Sequence, residues 1–316
     1  KSDVKDGGPG KDGIPSIDDP IFVLADSQAA DFIRDDDLVV GIEIGNEIRA
    51  YPHRVLDWHE IVNDSFGDLF LSLSYCPLTG TAFAWESLSG SEFSTFGVSG
   101  LLYNANLILY DRLTDSHWSQ IALKCVNGEN IGDIPKTIKI VETTWLQWKN
   151  LYPNTSVLIG DVRFNRNYDV YPYGPYKTDH NYFIFEASPE NNALPNKERV
   201  FAIIDNDNSE VFQFNQFSGG KTIRTLFQGK NYLLVGNENV ICAFELDDSL
   251  SELTFSYNSN LDGVGFFTDD EGSQWSVFGE AISGPRQGTI MKPATSVVSY
   301  WFAIAAFYPN PQINSK

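Results

Sequence analysis

The chain has 316 residues, 42% hydrophobic and 14% aromatic, which is room for about two domains of ordinary size. Its 42 acidic residues against 22 basic ones give a net charge of −20, which repels phosphate backbones and argues against nucleic acid as a partner. No apolar run approaches the roughly 18 residues of a membrane-spanning helix, and three cysteines in so large a chain do not read as a disulfide scaffold.

Residues 1–19 are polar and Gly-rich and predict a flexible N-terminal tether. Residues 21–25 predict a short strand, and 27–34 a helix with Ser27 as its N-cap. Residues 38–44 and 48–51 predict a hairpin around Gly45-Asn46, a turn dipeptide suited to positive φ. Pro52 tolerates a first helical position, so PHRVLDWHEIV predicts a helix, with a turn over 63–68. Alternating apolar residues make 69–75 a strong strand that delivers Cys76 at its end. Pro77 to Gly80 turn the chain, 81–85 return as a strand, and 93–97 and 106–111 continue the series. Thr143 or Thr144 caps a helix through TTWLQWKNLYP, stopped at Pro153. Residues 156–198 predict a connector rich in Tyr, Asn and Pro. Strands follow at 200–204, 211–214, 232–235 and 240–244, and a helix at 295–307. Many short strands with few helices predict a β-rich α+β fold.

Two stretches read as one module written twice. Residues 40–86 match 200–245, and DSHWSQ then TTWLQWKNLYPN match EGSQWSVFGEAISGP then SYWFAIAAFYPN. Trp118 aligns with Trp275, and Tyr152-Pro153-Asn154 with Tyr308-Pro309-Asn310. The expected organisation is therefore two tandem pseudo-repeats: a tether over 1–19, a first repeat over 20–155, a connector over 156–198 and a degenerate second repeat over 199–316.

The first repeat holds the reactive residues. Cys76 leaves a strand into Pro-Leu-Thr-Gly, whose backbone N–H groups could stabilise a thiolate or an oxyanion. An imidazole at His59 would accept the thiol proton. In the second repeat these positions fall near Lys221 and Val235. The same two side chains with a carboxylate, Glu60 or Asp64, form the candidate metal set, for zinc or copper; no HExxH or CxxC spacing accompanies them. Glu60, Asn63 and Asp64 are candidate binding residues that also suit helix ends and turns. Thr79, Arg112 (an anion-binding candidate), Tyr103 and Asn104 complete the set. Cys125 and Cys242 read as buried small hydrophobes. Tyrosines 168, 171, 173 and 176 could stack on sugar rings or pack between the repeats.

The stretches RAYPHRVLDWHEIVND, YCPLTGTAFAWE, FGVSGLLYNANLILYDR and HWSQ together resemble the domain of unknown function family numbered 3179. The resemblance implies an exported or envelope protein without an assigned reaction. It places the family's His and Cys motifs on His59 and Cys76. Many relatives show CPLC where this chain has CPLT, so Thr79 replaces a resolving thiol. The resulting expectation is an exported, acidic accessory protein, extracytoplasmic and tethered through its N-terminal side, by a lipid anchor upstream of Lys1 or by a partner. It would dock to an envelope protein complex or a glycan. The alternative is a thiol- or metal-dependent enzyme acting on a small molecule at a Cys76/His59 pocket.

Overall fold

The computed structural model describes residues 3–259 and 265–315. Leu38–Ile44 and Glu47–Pro52 form the expected hairpin, with Gly45 at φ 60. Val141–Thr144 pairs antiparallel on one side of it, and Ser156–Leu158 pairs in parallel on the other. A second sheet runs in the order Thr137–Ile138, Thr81–Glu86, Leu69–Cys76, Ile61–Phe66. A third follows from Phe96–Tyr103 through Asn106–Asp111 and His117–Ser119 to Lys124–Asn127. The fold is thus β-rich, with three seven-residue α-helices among the described residues: α1 (His53–His59), α2 (Trp145–Leu151) and α3 (Trp301–Phe307).

The same order and sense of pairing occur in the second half. Arg199–Asp205 and Asn208–Gln213 are a hairpin flanked by antiparallel Ser296–Tyr300 and parallel Gln312–Ile313. Lys221–Phe227, Lys230–Gly236, Ile241–Leu246 and Lys292–Pro293 form the second sheet there, and Phe255–Tyr257, Phe267–Asp269, Gln274–Trp275 and Ala281–Ser283 the third. Trp118 Nε1 donates to Asp111 Oδ2 at 2.9 Å, and Trp275 Nε1 donates to Asp269 Oδ2 at 3.0 Å.

Each half buries one core between its own first two sheets, around Val40, Leu73 and Tyr51 in one and Ile203, Leu234 and Phe212 in the other. Two further cores are composite. One joins Leu78, Leu107 and Trp118 to Val200, Val297 and Trp301. The other joins Val39, Trp145 and Trp148 to Leu233, Phe244 and Trp275. Trp148 lies so close to the first hairpin that a Cβ at Gly41 would meet its ring at 2.1 Å.

Several expected elements differ. The helix expected over 295–307 begins as the strand Ser296–Tyr300, because its β-branched residues pair with Arg199–Asp205. The helix from Pro52 stops at His59, since Glu60 sits at φ 58; Ile61 to Phe66, including the expected turn at Asn63, are strand. Ser27 caps only a 3-10 turn, Gln28–Ala30. The described part of 1–19 is docked rather than free. Val4–Asp6 pairs with Phe96–Tyr103, and Ile17, 1% exposed, is bonded on both sides through Ile61 O and Asn63 N. The connector, expected to begin at 156, contributes Ser156–Leu158 to the first sheet. Its remainder folds around the buried Lys197 ammonium, which donates to the carbonyls of Tyr176 and Asp179 at 2.7 Å and to that of Tyr182.

Candidate functional site

Cys76 ends its strand as expected, and the turn closes through Gly80 N to Cys76 O at 2.8 Å. The thiol is buried, and its Sγ lies 3.6 Å from Ala105 O. Burial, reinforced by the nearby Glu60 carboxyl, pushes its pKa up to about 11; hydrogen bonds from Thr79 only partly oppose this. The expected thiolate is therefore not supported, because the turn amides do not offset the loss of solvent. Thr79 belongs to a buried network instead. Its Oγ1 lies 2.8 Å from Thr81 Oγ1 and accepts from Asn106 Nδ2 at 2.9 Å, while Gln120 Oε1 accepts from both Thr81 and Asn106 at 2.7 Å.

His59 and Cys76 lie on adjoining segments, but their side chains have different partners. A carbonyl only accepts, so His59 Nδ1–H donates to Pro15 O at 2.8 Å, and Nε2 accepts from Tyr168 OH at 2.7 Å. Both nitrogens are thereby occupied, and burial lowers the pKa of the ring. Among the described residues no group of three or more His, Cys, Asp or Glu side chains is placed to hold a metal ion. The zinc or copper expectation at His59 and Cys76 thus has no ligand set.

The other expected binding residues hold the fold together. Asn63 bonds Asp18 and both backbone groups of Phe96. Asp64 accepts from Arg49 at 2.7 Å and from Tyr51 OH at 2.5 Å. Arg112 clasps Asp18 and Ser16 of the docked N-terminal segment and also Thr95, so its charge is already matched by Asp18. Asn104 donates to Ser188 O and accepts from Ser188 N, and Tyr103 packs edge-on against Phe307. Glu60 is buried and accepts from Tyr173 OH at 3.2 Å, with its pKa raised by burial to about 7. The connector tyrosines turn inward rather than out to a sugar: Tyr176 OH bonds Leu78 O at 2.9 Å, and Tyr168 holds His59.

A cavity of about 220 Å³ opens at the seam of the two halves. His53, Tyr75, Gly80 and Glu142 come from the first half, Arg199 and Tyr300 from the second, and Lys177 from the connector. Pairing between Glu142 and Val40, and between Arg199 and Tyr300, fixes the strands that carry them. Gly80, at φ 63, lets the turn approach to where a Cβ would be 3.2 Å from the Tyr300 ring. Arg199 Nη2 donates to Glu142 Oε1 at 2.6 Å, and His53 Nε2 stands 3.5 Å from Glu142 Oε2, an ion-pair distance without hydrogen-bond geometry. Burial pushes the Glu142 pKa up, but Arg199 and His53 outweigh it and hold the carboxyl below its usual value. Lys177 donates to Asp57 Oδ2 at 2.8 Å; burial still raises the Asp57 pKa. His53 Nε2, Asp57 Oδ1 and Tyr171 OH are buried without a hydrogen-bond partner, a cost a folded chain rarely bears without a use for the group. A larger groove of about 310 Å³ has its lysines matched, Lys230 with Asp205 and Lys292 with Glu245, and no such orphaned atom in its lining.

The family described as "Protein of unknown function (DUF3179)" matches residues 11–311, nearly the whole length. The chain belongs to that family. No curated protein and no solved structure matches it. In this DUF3179 chain the seam cavity is lined by residues other than His59 and Cys76. A signal for them existed. Pro52 and Gln213 end corresponding strands, and the next residues are His53 and Phe214. Glu142 faces Val40 where Val298 faces Phe201. Tyr75 is opposite Ala82 where Gly236 is opposite Ile241. Polar groups at these positions in the first half correspond to apolar ones in the second.

Proposed function

We propose that this DUF3179 protein binds a small polar molecule in the seam pocket, with His53 and Glu142 placed to exchange a proton with it. The carrying observation is a buried, unpartnered ring nitrogen, His53 Nε2, in the cavity lining, beside the buried Glu142 carboxylate and the Arg199 guanidinium; Asp57, whose Oδ1 is also unpartnered, is held by the lining Lys177. A cavity of about 220 Å³ holds roughly seven waters by volume, the size of a small metabolite rather than a peptide. The two halves would be copies of one unit. Their matching strand orders support this, and so does a polar constellation kept in one copy and apolar in the other. The exported accessory role, docked to an envelope assembly or a glycan, remains our proposal for the protein's setting and rests on the family resemblance. Recovery of the native protein in the host cytoplasm would overturn it.

The binding reading is tested by ligand-observed NMR of the full chain against a metabolite library covering acids, amines and neutral polyols. The expected result is a group of mutually competing hits, lost in His53→Leu with an unchanged circular dichroism spectrum. No hit of any charge below a dissociation constant of about 1 mM, or hits indifferent to His53→Leu, would sink it.

A further inference from the structure

We propose that the seam pocket selects a small oxyanion, a carboxylate or phosphate group, and that Arg199 and the Tyr75 and Tyr300 hydroxyls are its receiving groups. The inference rests on the binding reading above and adds the class of ligand. It follows from which groups at the pocket are left without partners. Arg199 uses Nε and Nη2 on Glu142, and Nη1 meets no protein acceptor among the described residues. Tyr75 and Tyr300 line the cavity with no hydrogen bond from either hydroxyl among the described residues, although both side chains are buried. Lys177 has a single hydrogen bond, to Asp57, and its ammonium carries three protons. These are donors. Of the three lining carboxylates, Asp37 and Glu142 are already engaged, by Arg54 and by Arg199, and Asp36 is exposed to solvent. Donors in excess of acceptors around a cavity are satisfied by a ligand that brings acceptors, and an oxyanion brings the most per atom. A guanidinium end free to pair and two phenol donors facing one cavity suit such a group.

The test is isothermal titration of the full chain with three probes: inorganic phosphate, acetate and glycerol. The expected result is binding of phosphate or acetate, weakened at least tenfold in Arg199→Gln; which of the two binds separates a tetrahedral from a planar group. Arg199→Gln also strips Glu142 of its partner, so Tyr300→Phe is the second variant. It keeps the ring and the ion pair, and weakens the anion three- to tenfold with an unchanged melting temperature. Binding of glycerol but neither anion would overturn the oxyanion class while leaving the pocket reading intact. Anion binding that ignores both variants, or no binding by either anion, would also overturn it.

Discussion

Burial governs the chemistry open to the Cys76 thiol. A pKa of about 11 leaves roughly one molecule in ten thousand as thiolate at neutral pH. Native protein treated with iodoacetamide at pH 7 should therefore be alkylated at Cys76 at least tenfold more slowly than free glutathione, with labelling read by mass spectrometry. Labelling as fast as glutathione would restore the thiol chemistry. Glu60 gives a pH signature of its own. Its pKa is raised from 4.5 to about 7, so the associated stability is fully present below pH 4.5 and is lost as pH rises through 7. That interval corresponds to about 3 kcal/mol at most. Glu60→Gln should leave urea-unfolding stability nearly unchanged at pH 4.5 and raise it at pH 8; an equal effect at both pH values would show that burial does not set the titration. His59 acts in the opposite sense. Its lowered pKa gives stability that is present above about pH 6.5 and is lost on acidification. The candidate residues were legible as a polar cluster in the first half, but their partners were not. Pro15, Tyr168 and Tyr173 come from segments far off in sequence, and spacing carries no information about them.

Elements defined by local chemistry were readable. The Gly45-Asn46 hairpin, the Leu69–Cys76 strand and the Thr144 cap on α2, accepting from Gln147 N at 3.3 Å, each depend on residues within a few positions. Ser296–Tyr300 was not readable as a strand, because its partner lies about a hundred residues earlier and TSVVSYWFAIAAF continues smoothly into helix. The connector is the hardest case. Its shape depends on Lys197, whose ammonium also lies 3.7 Å from the Tyr176 ring centre. Lys197→Met would leave three carbonyls bare, each at a cost of about 1–3 kcal/mol if it stays buried. The expected outcome is faster hydrogen exchange over residues 171–185, measured by mass spectrometry, and loss of the pocket wall at Lys177. Unchanged exchange there would show that the connector is held by its aromatic contacts alone.

At the scale of the whole molecule the tandem pattern suggested two bodies with a link, and the composite cores join them. Trp145 and Trp148 of the first half are buried with Phe244 and Trp275 of the second, and Trp301 of the second with Trp118 of the first. Sequence pattern marks a face as apolar but does not say which half will cover it. Residues 1–158 alone should lack a cooperative unfolding transition and should bind a hydrophobic dye, whereas the full chain should unfold in one step by fluorescence and circular dichroism together. A cooperative transition in the isolated half would show that its own core suffices.

The composite cores also set a timetable for biosynthesis. Trp118 leaves the ribosome 183 residues ahead of Trp301, an interval of about 10–40 s at ordinary elongation rates. Throughout it, the apolar face around Leu78 and Leu107 lacks the cover that Val297 and Trp301 give it in the folded chain. The nascent chain therefore carries a partly uncovered apolar face for tens of seconds, the interval in which it is most exposed to aggregation.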